Sequence, residues 1–372
     1  MLFEKNADAR RPPASTTKIM TSILLLENTN PTDVLTASPR AAATGGSSLN
    51  LKAGERITAH DMLYALMLRS ANDGCVVVAE KVAGSEPKFA GMMTAKAHEI
   101  GAVNTHFGNC NGLNENPNVT TARDLSIMAR YAFRFPEFND AVHSKFYNIA
   151  RAKENKDTLL RNHAKFLWHF PGADGVKTGF TNPAGHCFVG AATWNGWRLV
   201  SVVLHSPDIV RETSELMKYG FQQFETHKVV APGQSFGTAK VEGGAVPSVP
   251  VTSQAAIKVI TRRGVEPVVE LRPKIGPVGA PVLAGTPVGT LEAWEDGKVV
   301  GTTKLVAAES VNRAVGVAVV GGAGRGGWYF LGAVAGTVVV GYGRTFAKTA
   351  RIRRYRLKAL LRDADNGRPG IG

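Results

Sequence analysis

Three short motifs in a fixed order constrain this chain more than anything else in it: Ser15-Thr16-Thr17-Lys18, Ser70-Ala71-Asn72 and Lys177-Thr178-Gly179. Each alone says little. A second S-x-x-K occurs at Ser85-Glu86-Pro87-Lys88, where it reads as a helix start with a serine cap and an early proline. S-x-N recurs at Ser48–Asn50 and Ser310–Asn312, whereas Lys-Thr-Gly occurs once. Taken in order and at this spacing, the three build a serine nucleophile with a lysine base.

Serine is a weak nucleophile at its free pKa and needs a neighbouring base. Ser15 and Lys18 are three residues apart, so on a helix they share a face and the amine reaches the hydroxyl. The run Ile19–Leu26 is apolar enough for a buried helix, and Pro12-Pro13 precede it where a helix begins. A lysine on such a helix is partly desolvated, which lowers its pKa toward that of a useful base. The positive end of the helix dipole favours the negative charge that develops at Ser15.

Ser70-Ala71-Asn72 lies between the apolar runs Met62–Leu68 and Val76–Ala79, so it reads as a loop joining two helices. There Ser70 passes a proton to a leaving group and Asn72 holds a substrate amide. Lys177-Thr178-Gly179 reads as a strand at a cleft edge. In that position Lys177 supplies positive charge, Thr178 offers a hydroxyl to a carboxylate, and Gly179 lets the backbone approach closely. The backbone N–H groups of Ser15 and Phe180 are then the natural oxyanion donors.

The net charge of +14 suggests a nucleic-acid partner until it is located. The last 29 residues hold nine Lys and Arg against two acids, which is half of the excess. No nucleic-acid motif accompanies it, so no such partner is expected. The three cysteines (Cys75, Cys110, Cys187) allow at most one disulfide, and Cys75 and Cys187 sit in apolar runs as small core residues. No zinc pattern or cofactor motif occurs, so the chemistry needs neither metal nor cofactor.

Residues 1–225 read as mixed α/β. Helices are expected over 15–26, 59–68, 72–82, 90–100, 122–133 and 210–224. Strands at 185–192 and 198–205 are expected to pair with strands near the N-terminus. From 226 to 312 the chain is rich in Gly, Pro and Val with short alternating runs, as in a small β-sandwich. Residues 326–343 carry no charge, and eighteen helical residues span about 27 Å, close to a bilayer core. A membrane anchor is therefore expected within 313–343. The Arg-rich tail at 344–372 puts that side in the cytoplasm and the body outside.

The motifs resemble those of the D-alanyl-D-alanine carboxypeptidases, the low-molecular-weight penicillin-binding proteins of the serine peptidase type. The likeness extends to Glu4–Asp8, Arg11–Ser15, Leu68–Asp73, Thr121–Leu125 and Asp174–Thr181, and covers roughly residues 3–310. It implies a catalytic domain of the β-lactamase/transpeptidase type, a sheet flanked by helices plus a helical lobe. The β-rich domain that follows would be a non-catalytic spacer or interaction platform. It also implies that Ser15 attacks the bond between the last two D-alanines of a peptidoglycan stem peptide, with Lys18 as base, and that β-lactams acylate Ser15. Lys177 fits a terminal carboxylate, with Arg161 a weaker candidate better read as surface solvation.

The resemblance further implies an export signal and a first strand ahead of Leu2-Phe3-Glu4, so the chain is expected to be a fragment of a longer reading frame. Cys110 stands where relatives would carry proline, with no functional account. Two rival readings remain. A β-lactamase would need a glutamate motif for deacylation, which is not found, and has no need of the appended domain. A silent wall-binding scaffold is opposed by the intact Ser15, Lys18 and Lys177.

Overall fold

The computed structural model describes residues 1–114, 117–151 and 157–314; the expected membrane span and basic tail lie outside the described residues. The N-terminal segment turns at Asn6, where Ala9 N–H donates to Asn6 O, and then bridges Arg11 to Thr120. A 3-10 turn over Ala14–Thr17 then feeds α1 (Lys18–Asn28). Apolar on nearly all sides, α1 buries Ile19, Met20, Ile23, Leu24 and Leu25. At about 1.5–3 kcal/mol for each fully buried side chain, packing rather than helix propensity holds it. Its last carbonyls are satisfied by side chains, Asn28 Nδ2 donating to Leu24 O and Thr29 Oγ1 to Leu25 O.

After α1 come β1 (Val34–Thr36), α2 (Pro39–Ala42), β2 (Arg56–Thr58) and α3 (Ala59–Tyr64). Thr58 caps α3 by accepting from Asp61 N. The apolar run expected to continue as plain helix instead widens into a π turn over Ala65–Arg69, ending at Ser70 with φ 63°. Such turns recur at functional sites because the extra residue redirects a side chain. Next are α4 (Asn72–Ala83), which stops at Gly84, and α5 (Glu86–Glu99). Ser85 does mark the start of α5, but its side chain makes no capping bond. The lobe is completed by α6 (Ala122–Ala132), α7 (Pro136–His143), the ribbon β3 (Phe146–Asn148) with β4 (Leu159–Arg161), and the single turn α8 (Phe166–His169).

The catalytic sheet is antiparallel and ordered β5 (Ala173–Thr181), β6 (Gly185–Trp194), β7 (Trp197–Ser206). This corrects one expectation: β6 pairs with β5 on one side and β7 on the other, and among the described residues no N-terminal strand joins them. On one face the sheet packs against α9 (Ile209–Gln223); α6 packs against β7, and Val176, Val189 and Ala191 join the core of the helical lobe. Asp208 caps α9 by accepting from Arg211 N.

The remainder is β-rich: β8 (Phe224–Val230), β9 (Ser235–Glu242), β10 (Ser248–Ser253), β11 (Ile257–Arg262), β12 (Glu270–Ile275), β13 (Val278–Gly279), β14 (Pro287–Glu295) and β15 (Lys298–Ala307). Six of these form one sheet in the order β12-β14-β15-β10-β9-β13, and β8 with β11 forms a separate ribbon. Strand β11 alternates strictly, with Ile257 and Val259 inward and Lys258 and Arg262 outward. Its inward residues share a core with Val249, Val251, Leu291 and Leu305 of the larger sheet. The α/β body and the β domain thus keep separate cores.

Candidate active site

Lys18 is the first residue of α1 and is fully buried. Its Nζ has three neighbours: Asn72 Oδ1 at 2.7 Å, Asn111 O at 2.8 Å and Ser15 Oγ at 3.0 Å. Burial pushes its pKa below the ordinary lysine value, against the opposing pull of Cys75, Cys110 and Asp73. A neutral amine has two N–H groups and one lone pair. Asn72 and Asn111 offer acceptors for the two N–H groups, which leaves the lone pair aimed at the Ser15 hydroxyl.

Asn72 is itself held on both sides, since its Nδ2 donates to Gly45 O at 2.9 Å and its backbone N–H to Ser47 O at 2.8 Å. Its side chain therefore faces Lys18 and the 45–47 loop rather than open space. Next to it, Asp73 accepts from Ser48 Oγ and from the backbone N–H groups of Leu49, Leu51 and Gly74, pinning that loop to the start of α4.

Sequence reasoning missed the loop that supplies the Asn111 carbonyl. Asn118 Nδ2 donates to Thr17 Oγ1, Asn109 Oδ1 accepts from the N–H groups of Asn111 and Gly112, and Thr21 Oγ1 donates to the Cys110 carbonyl. Gly112 has φ +91°, and a Cβ there would lie 1.9 Å from Ala14 O. The one available signal was the Asn-Gly pair at 111–112, a turn marker. Cys110 serves the site through its backbone. All three cysteines are buried and free; burial pushes the Cys75 thiol up to about 12 and raises Cys110 and Cys187 as well.

Strand β5 runs beside the nucleophile turn. At Gly179 a Cβ would stand 2.9 Å from Ser15 N and 3.1 Å from Pro13 O, so only a glycine brings the strand this close. Because β5 is the sheet's edge among the described residues, its outer backbone groups are free of strand partners. A cleft of about 500 Å³ opens here, with Ser15, Ser70, Thr178, Gly179 and Phe180 in its walls. Five of the eight residues singled out by sequence therefore meet around one space, and Lys18 and Asn72 stand directly behind Ser15.

Lys177 is placed otherwise than expected. It is 1 % exposed, absent from the cleft wall, and its Nζ donates to Thr178 O at 2.9 Å. Burial, with the charge of Lys18 adding to it, pushes its pKa down to about 7. Its charge is felt at Lys18 and at His163 in the cleft wall, so it bears on the site from beneath the surface. Arg161 lies over the Trp168 ring at 5.4 Å, outside the cleft wall. Among the described residues that line the cleft the one carboxylate, Asp208, is engaged as the cap of α9. Among the described residues no three His, Cys, Asp or Glu side chains cluster as metal ligands.

An assembly of this kind can carry out acyl transfer: an activated hydroxyl, a buried amine as base, and backbone donors beside an edge strand. Comparison with known proteins points the same way. Residues 1–208 match the family described as D-alanyl-D-alanine carboxypeptidase, and residues 224–313 match the C-terminal domain of penicillin-binding protein 5. The chain is 31 % identical over 325 residues to the D-alanyl-D-alanine carboxypeptidase DacF of Bacillus subtilis, covering 84 % of this chain and 83 % of the relative. It is 32 % identical over 330 residues to the carboxypeptidase DacC of Escherichia coli, covering 84 % and 81 %. Among solved structures, a peptidoglycan synthesis regulatory factor (PBP3) from Streptococcus pneumoniae superposes with a TM-score of 0.72 at 25 % identity, over 83 % of this chain and 95 % of that one.

Proposed function

This chain belongs to the D-alanyl-D-alanine carboxypeptidase family, and we propose that it works through an acyl-enzyme on Ser15 with Lys18 as its base. It is a serine-type D-Ala-D-Ala carboxypeptidase, a penicillin-binding protein that acts on peptidoglycan peptides and is acylated by β-lactams. The observation that carries the residue assignment is the 3.0 Å contact between Lys18 Nζ and Ser15 Oγ, made by an amine whose other directions are taken by Asn72 and Asn111.

In the proposed sequence, Ser15 Oγ attacks the carbonyl of the penultimate D-alanine while Lys18 takes its proton. The backbone N–H groups of Ser15 and Phe180 receive the oxyanion. Ser70 passes a proton to the leaving amine, and D-alanine departs. Water then attacks the ester, with Lys18 again as base, and Ser15 is restored. With a β-lactam the ring amide opens in place of the peptide bond, and the acyl group stays on Ser15. Asn72 positions Lys18, and Lys177 backs Thr178 from inside the sheet.

A β-lactamase would need a second base for rapid hydrolysis of that ester. The cleft's carboxylate is committed to capping α9, which disfavours this reading. The test is mass spectrometry after incubation with benzylpenicillin, together with release of D-alanine from a D-Ala-D-Ala peptide. A stable adduct on Ser15 with D-alanine release is expected; rapid loss of penicillin without an adduct would favour the β-lactamase.

For location we propose a body outside the cytoplasmic membrane, anchored by one span within 313–343 and ending in a cytoplasmic basic tail. The charge-free stretch 326–343 with Arg-rich sequence directly after it supports this. Protease protection of the tail in sealed vesicles would check it, and cleavage of the tail from the outer side would refute it.

A further inference from the structure

The carboxypeptidase reading places the substrate between Ser70 and the Lys177–Gly179 strand, so the two must stand at a set distance. One helix lies between their frames. On one side α7 packs against β5, and on another against α3 and the π turn that ends at Ser70. It is seated by Phe138, Ala141 and Val142, all fully buried. Asn162 Nδ2 donates to Val142 O at 3.2 Å and to Ser144 O at 3.0 Å, which ties down its C-terminal end. A Cβ on Gly175 would lie 2.8 Å from Val142 O, so only a glycine lets β5 meet α7 this closely, two residues before Lys177.

Arg198, on β7, joins these parts. Its Nε donates to Asp174 Oδ2 on β5 at 3.0 Å and to Thr193 Oγ1 on β6 at 3.2 Å. Thr193 Oγ1 in turn donates to Asp174. Arg198 Nη1 donates to Asn139 Oδ1 on α7 at 2.6 Å. Asn139 Nδ2 donates to Phe133 O and Phe135 O, at the turn from α6 into α7, and the guanidinium lies 4.2 Å from the centre of the Phe133 ring. Asp174, Arg198 and Asn139 are absent from the cleft wall; they border a separate cavity of about 360 Å³. Resting on the carboxypeptidase reading, we propose that Arg198 is a positioning residue for acylation. Through Asp174 and Asn139 it fixes the third-motif strand against α7, and so sets the width of the cleft between Ser70 and Thr178. An ion pair this near the surface adds little stability by itself. What it adds is a fixed geometry between three strands and a helix, which the planar fork of an arginine can span and the point charge of a lysine cannot.

The test measures kcat and KM for diacetyl-Lys-D-Ala-D-Ala well below the melting temperature of each variant, with folding checked by circular dichroism. Arg198→Ala should lower kcat by about 10- to 100-fold with little change in KM, because a shifted strand harms alignment more than contact. Asn139→Ala, which frees Arg198 from α7, should act in the same direction, and the double variant should be no slower than Arg198→Ala alone. Arg198→Lys should behave like Asn139→Ala. Wild-type kcat in Arg198→Ala, a loss of melting temperature without a loss of kcat, additive losses in the double variant, or full activity in Arg198→Lys would each overturn the proposal. Hydrogen exchange over residues 176–181, measured on the same samples, should speed up in Arg198→Ala; unchanged exchange would also overturn it. If wild type neither releases D-alanine nor labels with penicillin, the catalytic reading falls, and the exchange comparison alone decides whether Arg198 holds the strand.

Discussion

Lys18 Nζ lies closer to Asn72 Oδ1, at 2.7 Å, than to Ser15 Oγ, at 3.0 Å. The proposed base is thus held from behind, by a residue fifty-four positions away, and its remaining direction points at the proposed nucleophile. Asn72→Ala should leave Lys18 with one fixed acceptor in place of two. Acylation by benzylpenicillin should slow by about 2- to 10-fold, the effect of losing one hydrogen bond between uncharged groups. An unchanged acylation rate would show that Asn111 and packing suffice to aim the amine.

Ser15→Ala should abolish both penicillin labelling and release of D-alanine. Ser15 is only half-buried, so thermal stability should stay close to wild type. Surviving labelling, read by mass spectrometry, would sink the nucleophile assignment.

Lys18→Ala should lower acylation by about 10²–10⁴-fold, the usual contribution of a general base. It also removes a side chain buried in the middle of the site, so the folded fraction should be checked by circular dichroism at the assay temperature. A folded variant with wild-type acylation would move the base elsewhere.

Gly112→Ala puts a methyl group 1.9 Å from Ala14 O and places an alanine at φ +91°. Strain of this kind costs about 1–3 kcal/mol, and the atom it displaces belongs to the residue before the nucleophile. Melting temperature and acylation rate should therefore fall together. A variant that loses stability but acylates normally would separate the loop from the chemistry.

The buried Lys177 makes a prediction about pH. Its pKa is about 7 in the folded protein, against an ordinary 10.5. Between those values the unfolded chain binds a proton that the folded chain does not, so stability from this group rises with pH. Below about pH 7 both states are protonated and the penalty of burying the charge is fully present. The stability of wild type relative to Lys177→Met should therefore improve from pH 6 to pH 9, measured by thermal melts at each pH. A gap that does not vary with pH would place the charge of Lys177 in a better-solvated setting.

What was legible in the sequence was mostly local. Ser15 and Lys18 meet through the arithmetic of one helical turn, and the long apolar run behind them forms the buried α1. The edge position of Lys177-Thr178-Gly179 and the close approach at Gly179 also follow from residue type. Other features depend on parts of the chain that no spacing rule connects. The Asn111 carbonyl arrives from ninety-three residues away through its backbone, so no side chain at that position advertises it. The π turn before Ser70 and the inward turn of Lys177 are settled by packing around them. A strand's alternation tells that one face is buried, but not which strand lies alongside, so nothing local in β6 and β7 marks β5 rather than an N-terminal strand as the sheet's third member.

The contact between Gly179 and the Ser15 turn has a further consequence. Gly179 meets the backbone of Pro13 and Ser15 and the Cβ of Ala14, so the spacing between the proposed nucleophile and oxyanion donors is set almost wholly by main chain. Side chains that face the cleft, such as Lys165 and Ile209, stand on other parts of the frame. Substrate preference can therefore drift by ordinary substitution along the walls while the reacting geometry stays constant. The site divides into a fixed mould and an editable lining.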